Sequence, residues 1–330
     1  MKYPNIIFLV LPLILVATLC SCAQNVTAED SKISVVSTLF PQYDWVRQIL
    51  GDKADTIESS MLPSDRIDLH NYQPSVDDIV KISNCDLFIY VGGESDEWVT
   101  GILKSAQNPD MVVINLMDIL GDGIKIDEPV LDDDDDDDHH HHDDDDDGGH
   151  EEHEDEHVWL SLKNAGIFCG AIAAALSSLN TEKAGVYESN LTAYLGQLSA
   201  VDADYRAALN ETPIRALVFA DRFPFRYLLD DYGLSYYAAF SGCSAETEAS
   251  FDTIISLAGK VNDLGLHTVM VTESADKSIA NTVIRSTKEK NQQILELNSM
   301  QSVTAGDMQN GVTYLSVMES NLNVLREALS

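Results

Sequence analysis

The chain reads as an α/β protein of two lobes, each built on a mostly parallel β-sheet. Three observations predict this. Short β-branched or apolar runs alternate with amphipathic helical stretches along most of the sequence. The alternation comes in two blocks, 33–180 and 211–330, separated by the stretch 181–210, which keeps a helical period for too long to belong to an ordinary lobe. Once an N-terminal signal is set aside, about 300 residues remain, a length that suits two lobes.

The elements follow in order. Ile33 to Leu39 is a β-branched run and predicts a strand, and Pro41 to Leu50 has helical character. Val76 to Ile82 fits a helix, and Leu87 to Val91 a buried strand closed by Gly92 and Gly93. Trp98 to Ala106 reads as helix, Val112 to Leu116 as strand, and Leu162 to Leu179 as an Ala-rich helix. Between Thr181 and Asn210, Val186, Leu191, Tyr194, Leu195, Leu198, Val201 and Tyr205 keep the 3.6-residue period, and no proline interrupts it. The pattern then restarts with strands at Arg215–Ala220, Leu234–Ala238, His267–Thr272 and Ile294–Leu297. Helices at Phe225–Leu229, Phe251–Asn262, Lys277–Glu289 and Gly311–Leu329 alternate with them. In sheets of this kind ligands bind beyond the carboxyl ends of the strands.

The N-terminus indicates the compartment. Met1-Lys2 precedes an apolar run from Ile6 to Leu19, which is the composition of a secretory signal rather than a spanning helix. Leu19-Cys20-Ser21-Cys22 resembles a bacterial lipobox, with cleavage after residue 21, lipid attached to Cys22 and a polar tether over 22–32. The expectation is an extracytoplasmic protein anchored to the bacterial membrane, and no other run looks long and apolar enough to cross a bilayer. Three further cysteines remain, an odd number that cannot all pair internally. Cys85 and Cys169 sit among apolar neighbours and read as small core residues, whereas Cys243 lies in a loop-like stretch and is a candidate ligand.

The chemistry is concentrated between Asp132 and His157. This tract holds 17 acidic residues and seven of the nine histidines in the chain. It cannot bury a core, so a hydrated loop is expected over 127–156. A solvated acidic spacer is the ordinary reading of a charge run. The interleaved histidines argue against it, because solubility has no use for a side chain that is mostly neutral at pH 7. Neutral imidazole suits zinc, copper and nickel. His139, His140, His141, His142, His150 and His153 are therefore candidate ligands of an accessory metal-collecting loop, distinct from His157 at its end.

The formal charge of −35 falls to −18 when the tract is left out. No Lys/Arg patch is visible, which argues against nucleic acid and favours cationic ligands. His70 precedes Pro74 in a loop, and His157 adjoins Trp159; each is placed to face a cleft. A zinc site takes about four ligands, so others must come from the second lobe.

Several motifs, in order, carry a family resemblance. Asp68-Leu-His70-Asn-Tyr72-Gln-Pro74-Ser75, Gly92-Gly93-Glu94 through Trp98, Glu156-His157-Val-Trp159-Leu160, Val271-Thr-Glu273-Ser, and Thr313-Tyr314 resemble the zinc/manganese solute-binding proteins of metal ABC importers. The resemblance implies two lobes joined by one long rigid helix, with metal held in the cleft between them, and His70 and His157 as ligands. It also implies that the third ligand follows the first strand of the second lobe. There this chain departs from the pattern, with Asp221 within one residue of the expected place and no histidine. The fourth position reads Asn298, a poor ligand; Cys243 and Glu273 both follow strands and are further candidates. Tyr72 and Trp159 are expected around the site. The resulting expectation is a monomeric, lipid-anchored receptor that binds zinc(II) and delivers it to the permease and ATPase subunits of an ABC importer. It catalyses nothing, since no nucleophile–base motif is present. A manganese receptor of the same family, and a metal-binding adhesin or storage lipoprotein without a transporter, are the alternatives.

Overall fold

The computed structural model describes residues 32–62, 69–127, 153–242 and 248–330. The signal run, the expected lipid site at Cys22 and the body of the acidic tract lie outside the described residues.

The first block runs β1 (Ser34–Ser37), α1 (Phe40–Leu50), β2 (Glu58–Met61), α2 (Val76–Asn84), β3 (Leu87–Tyr90), α3 (Glu97–Leu103), β4 (Val112–Asn115) and α4 (Leu116–Leu120). Its four strands pair in parallel in the order β2-β1-β3-β4. The edge strand β2 was not foreseen, because Glu-Ser-Ser-Met has neither alternation nor β-branched residues. Its place is set by backbone pairing with β1, from Ser34 opposite Glu58 to Ser37 opposite Met61.

Two helices follow, α5 (Leu162–Leu179) and α6 (Ala184–Leu209), the second preceded by a 3-10 turn at Thr181–Lys183. The second block is β5 (Ala216–Phe223), α7 (Arg226–Asp231), β6 (Ser235–Ser241), α8 (Phe251–Asp263), β7 (Thr268–Thr272), α9 (Ser278–Ser286), β8 (Gln293–Leu297), α10 (Ala305–Gln309) and α11 (Tyr314–Ala328). Its strands are parallel too, in the order β6-β5-β7-β8. The α/β architecture is the one expected, with α9 four residues shorter than the sequence suggested.

Helix α6 joins the two sheets. Its 26 residues span about 39 Å at 1.5 Å per residue. Tyr187, Tyr194, Leu198, Val201, Tyr205 and Leu209 form its buried stripe at helical spacing. It is tied at both ends: Asn190 Nδ2 donates to Ile49 O in α1 (2.8 Å), and Tyr205 Oη donates to Met318 O in α11 (2.6 Å). A continuous apolar core runs from β1, β3 and α1 through α5 and α6 to α7 and α11. Polar contacts cross between the blocks as well. Asp44 accepts from the Tyr314 backbone N–H (3.0 Å), and Tyr314 Oη donates to Trp159 O (2.8 Å).

One expectation needs correction. The α5 helix is long and apolar enough to cross a membrane, with a mean hydropathy of 1.4. Its Phe168, Cys169, Ile172 and Leu176 are buried in the core, so that composition serves packing. Cys85 and Cys169 are free and buried, as expected. Burial pushes the Cys85 thiol up to about 12.

Candidate metal centre

His70 sits in a 3-10 turn, Leu69–Asn71, just ahead of α2. The chain between them is held by a capping box: Ser75 Oγ accepts from Asp78 N–H, and the Asp78 carboxylate accepts from Ser75 and from Tyr72 Oη (3.0 Å). Tyr72 packs on Trp98, with ring centroids 5.7 Å apart. The imidazole itself is oriented through Nδ1, which lies 2.6 Å from Ser95 Oγ and 3.7 Å from Glu156 Oε2. Glu156 in turn accepts from the Ser95 backbone N–H (2.9 Å). Gly93, at φ 78°, lets that carboxylate approach, since a Cβ there would come within 2.3 Å of Glu156 Oε1. Below it Asp96 accepts from Val91 N–H and Gly92 N–H, yet burial raises its carboxyl to about 7. Burial raises Glu156 as well. His70 is thereby held with Nδ1 occupied and Nε2 buried.

His157 is set by the end of the acidic tract. Ile126 and Glu154 form an antiparallel bridge, flanked by hydrogen bonds from Asp127 N–H to His153 O and from Asp155 N–H to Lys125 O. This bridge engages His153 to Asp155, inside the loop expected over 127–156. It delivers Asp155, whose fully buried carboxylate accepts from His157 N–H (2.8 Å) and sits 3.0 Å from His157 Nδ1. From the second block, Arg226 Nε lies 3.7 Å from Asp155 Oδ2, and Tyr227 Oη donates to Asp155 O (2.9 Å). A carboxylate oxygen in this place accepts, which matches the His157 tautomer protonated on Nδ1. The Nε2 lone pair is left buried with no hydrogen-bond partner among the described residues. A carboxylate behind Nδ1 with a bare Nε2 in front is the arrangement of a metal-binding histidine. Trp159 closes one side, its ring 5.2 Å from that of His157 and its Nε1 donating to Ser299 O (2.9 Å).

The two imidazoles meet with ring centroids 5.4 Å apart and planes inclined at 61°. Two imidazoles on one tetrahedral zinc, each with Zn–N of about 2.0 Å, would have their centroids about 5 Å apart. The spacing therefore fits a shared metal ion.

The remaining candidates are placed differently. Asp221, near the end of β5, takes the Thr272 backbone N–H (3.0 Å) and the Thr272 hydroxyl. Glu273 accepts from Ser299 N–H (2.9 Å), Ser299 Oγ and Ser302 Oγ (both 3.0 Å), bracing the turn after β8. Neither carboxylate joins the two histidines: among the described residues no three His, Cys, Asp or Glu side chains form a group able to hold a metal. His153 is exposed, with Nδ1 2.7 Å from Glu94 Oε1. Cys243, His139, His140, His141, His142 and His150 lie outside the described residues. Sequence reasoning missed Asp155, Ser95 and Arg226, the groups that aim the imidazoles. Only Asp155 left a trace, two positions before His157, and a tract of similar carboxylates hides it.

Comparison with known proteins now bears on these features. A family model described as the periplasmic zinc-uptake complex component A, ZnuA, matches residues 35–328. The chain belongs to the ZnuA family. Among curated members, the zinc-binding lipoprotein AdcA of Streptococcus pneumoniae serotype 4 is 29% identical over 319 residues, covering 95% of this chain. The chain spans 60% of the length of that relative. The metal ABC transporter substrate-binding lipoprotein SsaB of Streptococcus sanguinis is 28% identical over 333 residues, covering 98% of both chains. Among solved structures, the Zn(II)-bound ZnuA-like domain of Streptococcus pneumoniae AdcA superposes with a TM-score of 0.68 at 28% identity, over 90% of this chain and 99% of that domain. The metal-dependent lipoprotein YcdH of Bacillus subtilis shares the fold, with a TM-score of 0.71 at 22% identity over 91% of this chain and all of YcdH. Two parallel sheets joined by a long helix are thus the family architecture.

Proposed function

We propose that this protein captures zinc(II) outside the cytoplasm and hands it to the permease and ATPase subunits of a membrane ABC importer. One observation carries the reading: His70 and His157 stand 5.4 Å apart, with their Nδ1 atoms engaged by Ser95 and Asp155. In this reading the two Nε2 atoms are the donors to one ion. The relatives named for zinc binding and for substrate binding in metal ABC transport support the same role. In this reading residues 1–21 are the signal, Cys22 carries the lipid, and 22–32 tether the receptor to the membrane. The histidines of the acidic tract collect metal near the cleft, and the protein works as a monomer without chemistry of its own. Imidazole donors favour zinc over manganese, which prefers oxygen. Asp221 and Glu273 serve as scaffold for the second sheet, and Cys243 remains a candidate third donor.

Calorimetric titration of zinc into the chain lacking residues 1–22 tests the assignment. His70→Ala and His157→Ala should each weaken the tightest binding by about 100-fold or more, the loss of one zinc–imidazole bond. Wild-type affinity in both variants would overturn it.

A further inference from the structure

Asp221 and Glu273 are engaged within the second block, yet that block reaches the histidine pair through α7. Arg226, Tyr227, Asp230 and Asp231 stand at i, i+1, i+4 and i+5, on one face of this short helix. All four meet the first block. Asp230 lies 2.7 Å from Lys125 Nζ, Asp231 accepts from Ser161 Oγ (2.6 Å), and Arg226 Nε stands 3.7 Å from Asp155 Oδ2. Tyr227 differs from the other three in holding main chain. Its ring is buried, and its Oη accepts from Lys125 N–H (2.9 Å) while donating to Asp155 O (2.9 Å). A phenol hydroxyl has one proton to give and lone pairs to receive with, so both bonds form at once. Lys125 and Asp155 flank the bridge between Ile126 and Glu154, one on each chain, and Asp155 N–H donates to Lys125 O. One hydroxyl of the second lobe thus fixes both chains of the bridge.

We infer that Tyr227 is a positioning residue of the metal site: it acts on His157 through the backbone of Asp155, and so lets the second lobe set zinc affinity without touching the ion. The inference rests on the zinc-capturing reading above and adds a residue to that site. The Asp155 carboxylate meets His157 N–H at 2.8 Å and Nδ1 at 3.0 Å. Bonds of this kind weaken steeply once distance and angle drift, so the carboxylate orients the imidazole only while its own peptide stays in place. That peptide belongs to an isolated bridge, not to a strand of either sheet. The two bonds from Tyr227 supply the rigidity that a single bridged pair lacks, as the support behind a metal ligand must.

The test compares Tyr227→Phe with Tyr232→Phe in the chain lacking residues 1–22. Each removes one phenol hydroxyl from a buried ring, but Tyr232 Oη donates to Asp202 Oδ1 (3.0 Å), on α6. Phenylalanine at 227 keeps the ring near Lys125 Nζ, which lies 5.7 Å from its centroid, so the space stays filled. Urea unfolding of both variants places them on one scale of stability. Zinc calorimetry should show the tightest binding about tenfold weaker in Tyr227→Phe, the low end of the effect of losing support behind a metal ligand. Tyr232→Phe should stay within about twofold of the parent chain, as expected of a site with no shared partner. Added to Asp155→Asn, Tyr227→Phe should weaken binding by less than about threefold, because the carboxylate it positions is gone. Nitrogen-15 NMR of the metal-free protein gives a readout that stability alone does not move: His157 should pass from the Nδ1–H form to a mixture of tautomers in Tyr227→Phe. Wild-type affinity or an unchanged tautomer in Tyr227→Phe would overturn the inference and leave zinc capture standing. Equal losses in the two tyrosine variants, or a full tenfold loss on top of Asp155→Asn, would do the same. Absence of zinc binding by the parent chain would overturn the function itself and this inference with it.

Discussion

Replacing Asp155 by Asn separates the histidine-orienting group from the histidines themselves. The asparagine keeps the size and one acceptor for the His157 backbone N–H, but it removes the charge that faces both His157 Nδ1 and Arg226. The two consequences have different sizes. For metal binding, loss of the carboxylate behind a ligating imidazole lowers donor basicity and frees the tautomer, which costs about 10- to 100-fold in affinity. For folding, unit charges 3.7 Å apart attract by about 4 kcal/mol at an effective dielectric constant near 20. Arg226 keeps its stacking over Tyr236, 5.5 Å from the ring centroid, so the net loss should be about 3 kcal/mol. Zinc calorimetry well below the melting transition and urea unfolding of the metal-free protein read the two effects independently. A destabilised variant that still binds zinc with wild-type affinity would refute the argument, because Asp155 would then be a folding residue with no part in presenting Nε2.

Two further predictions concern the tract and the buried acids. Deleting residues 132–152 removes five of the six accessory histidines but spares the bridge at Glu154 and the Asp155 carboxylate. Zinc stoichiometry should fall to about one while the tightest site stays within about threefold, since flexible ligands pay about 1–2 kcal/mol of ordering per residue and bind weakly. Loss of the tight site, measured by the same titration, would place the tract inside it. The second prediction concerns pH. Asp96 is raised by burial to about 7 in the folded chain. Between its ordinary range near 4 and about 7 the folded state therefore binds more protons than the unfolded one. The resulting stability is fully present below about pH 4 and is lost as pH rises through 7. Glu156 and Asp44 are raised too and act in the same direction. In Asp96→Asn, urea unfolding of the metal-free protein at pH 5 and pH 8 should show a shallower decline than in the wild type. An unchanged slope would mean that the Asp96 carboxylate stays ionised throughout.

The alternation of strands and helices was legible because most strands are apolar and β-branched, and because the stripe from Tyr194 to Tyr205 marks α6 unambiguously. The edge strand β2 escaped, since Glu58 to Met61 are held by pairing with β1 and not by their own propensity. The motifs singled out His70 and His157, and the structure brings their ring centroids within 5.4 Å of each other. Asp221 shows where such reading stops. It was chosen because it lies within one residue of the place where the resemblance puts a third ligand, after the first strand of the second lobe; the pairing of β5 with β6 shifts register between Phe219 and Arg222. A one-residue irregularity moves side chains to the other face of a sheet, and here the Asp221 carboxylate meets Thr272. Asp155 was hidden for the opposite reason. Its neighbours are carboxylates too, and only the bridge between Ile126 and Glu154 places Asp155 behind His157.

The most direct test of the central claim is an anomalous-difference map collected at the zinc edge from crystals of the zinc-loaded chain lacking residues 1–22. A single strong peak should lie about 2.0–2.1 Å from both His70 Nε2 and His157 Nε2. A zinc ion coordinated elsewhere, with either imidazole left unligated, would contradict the account.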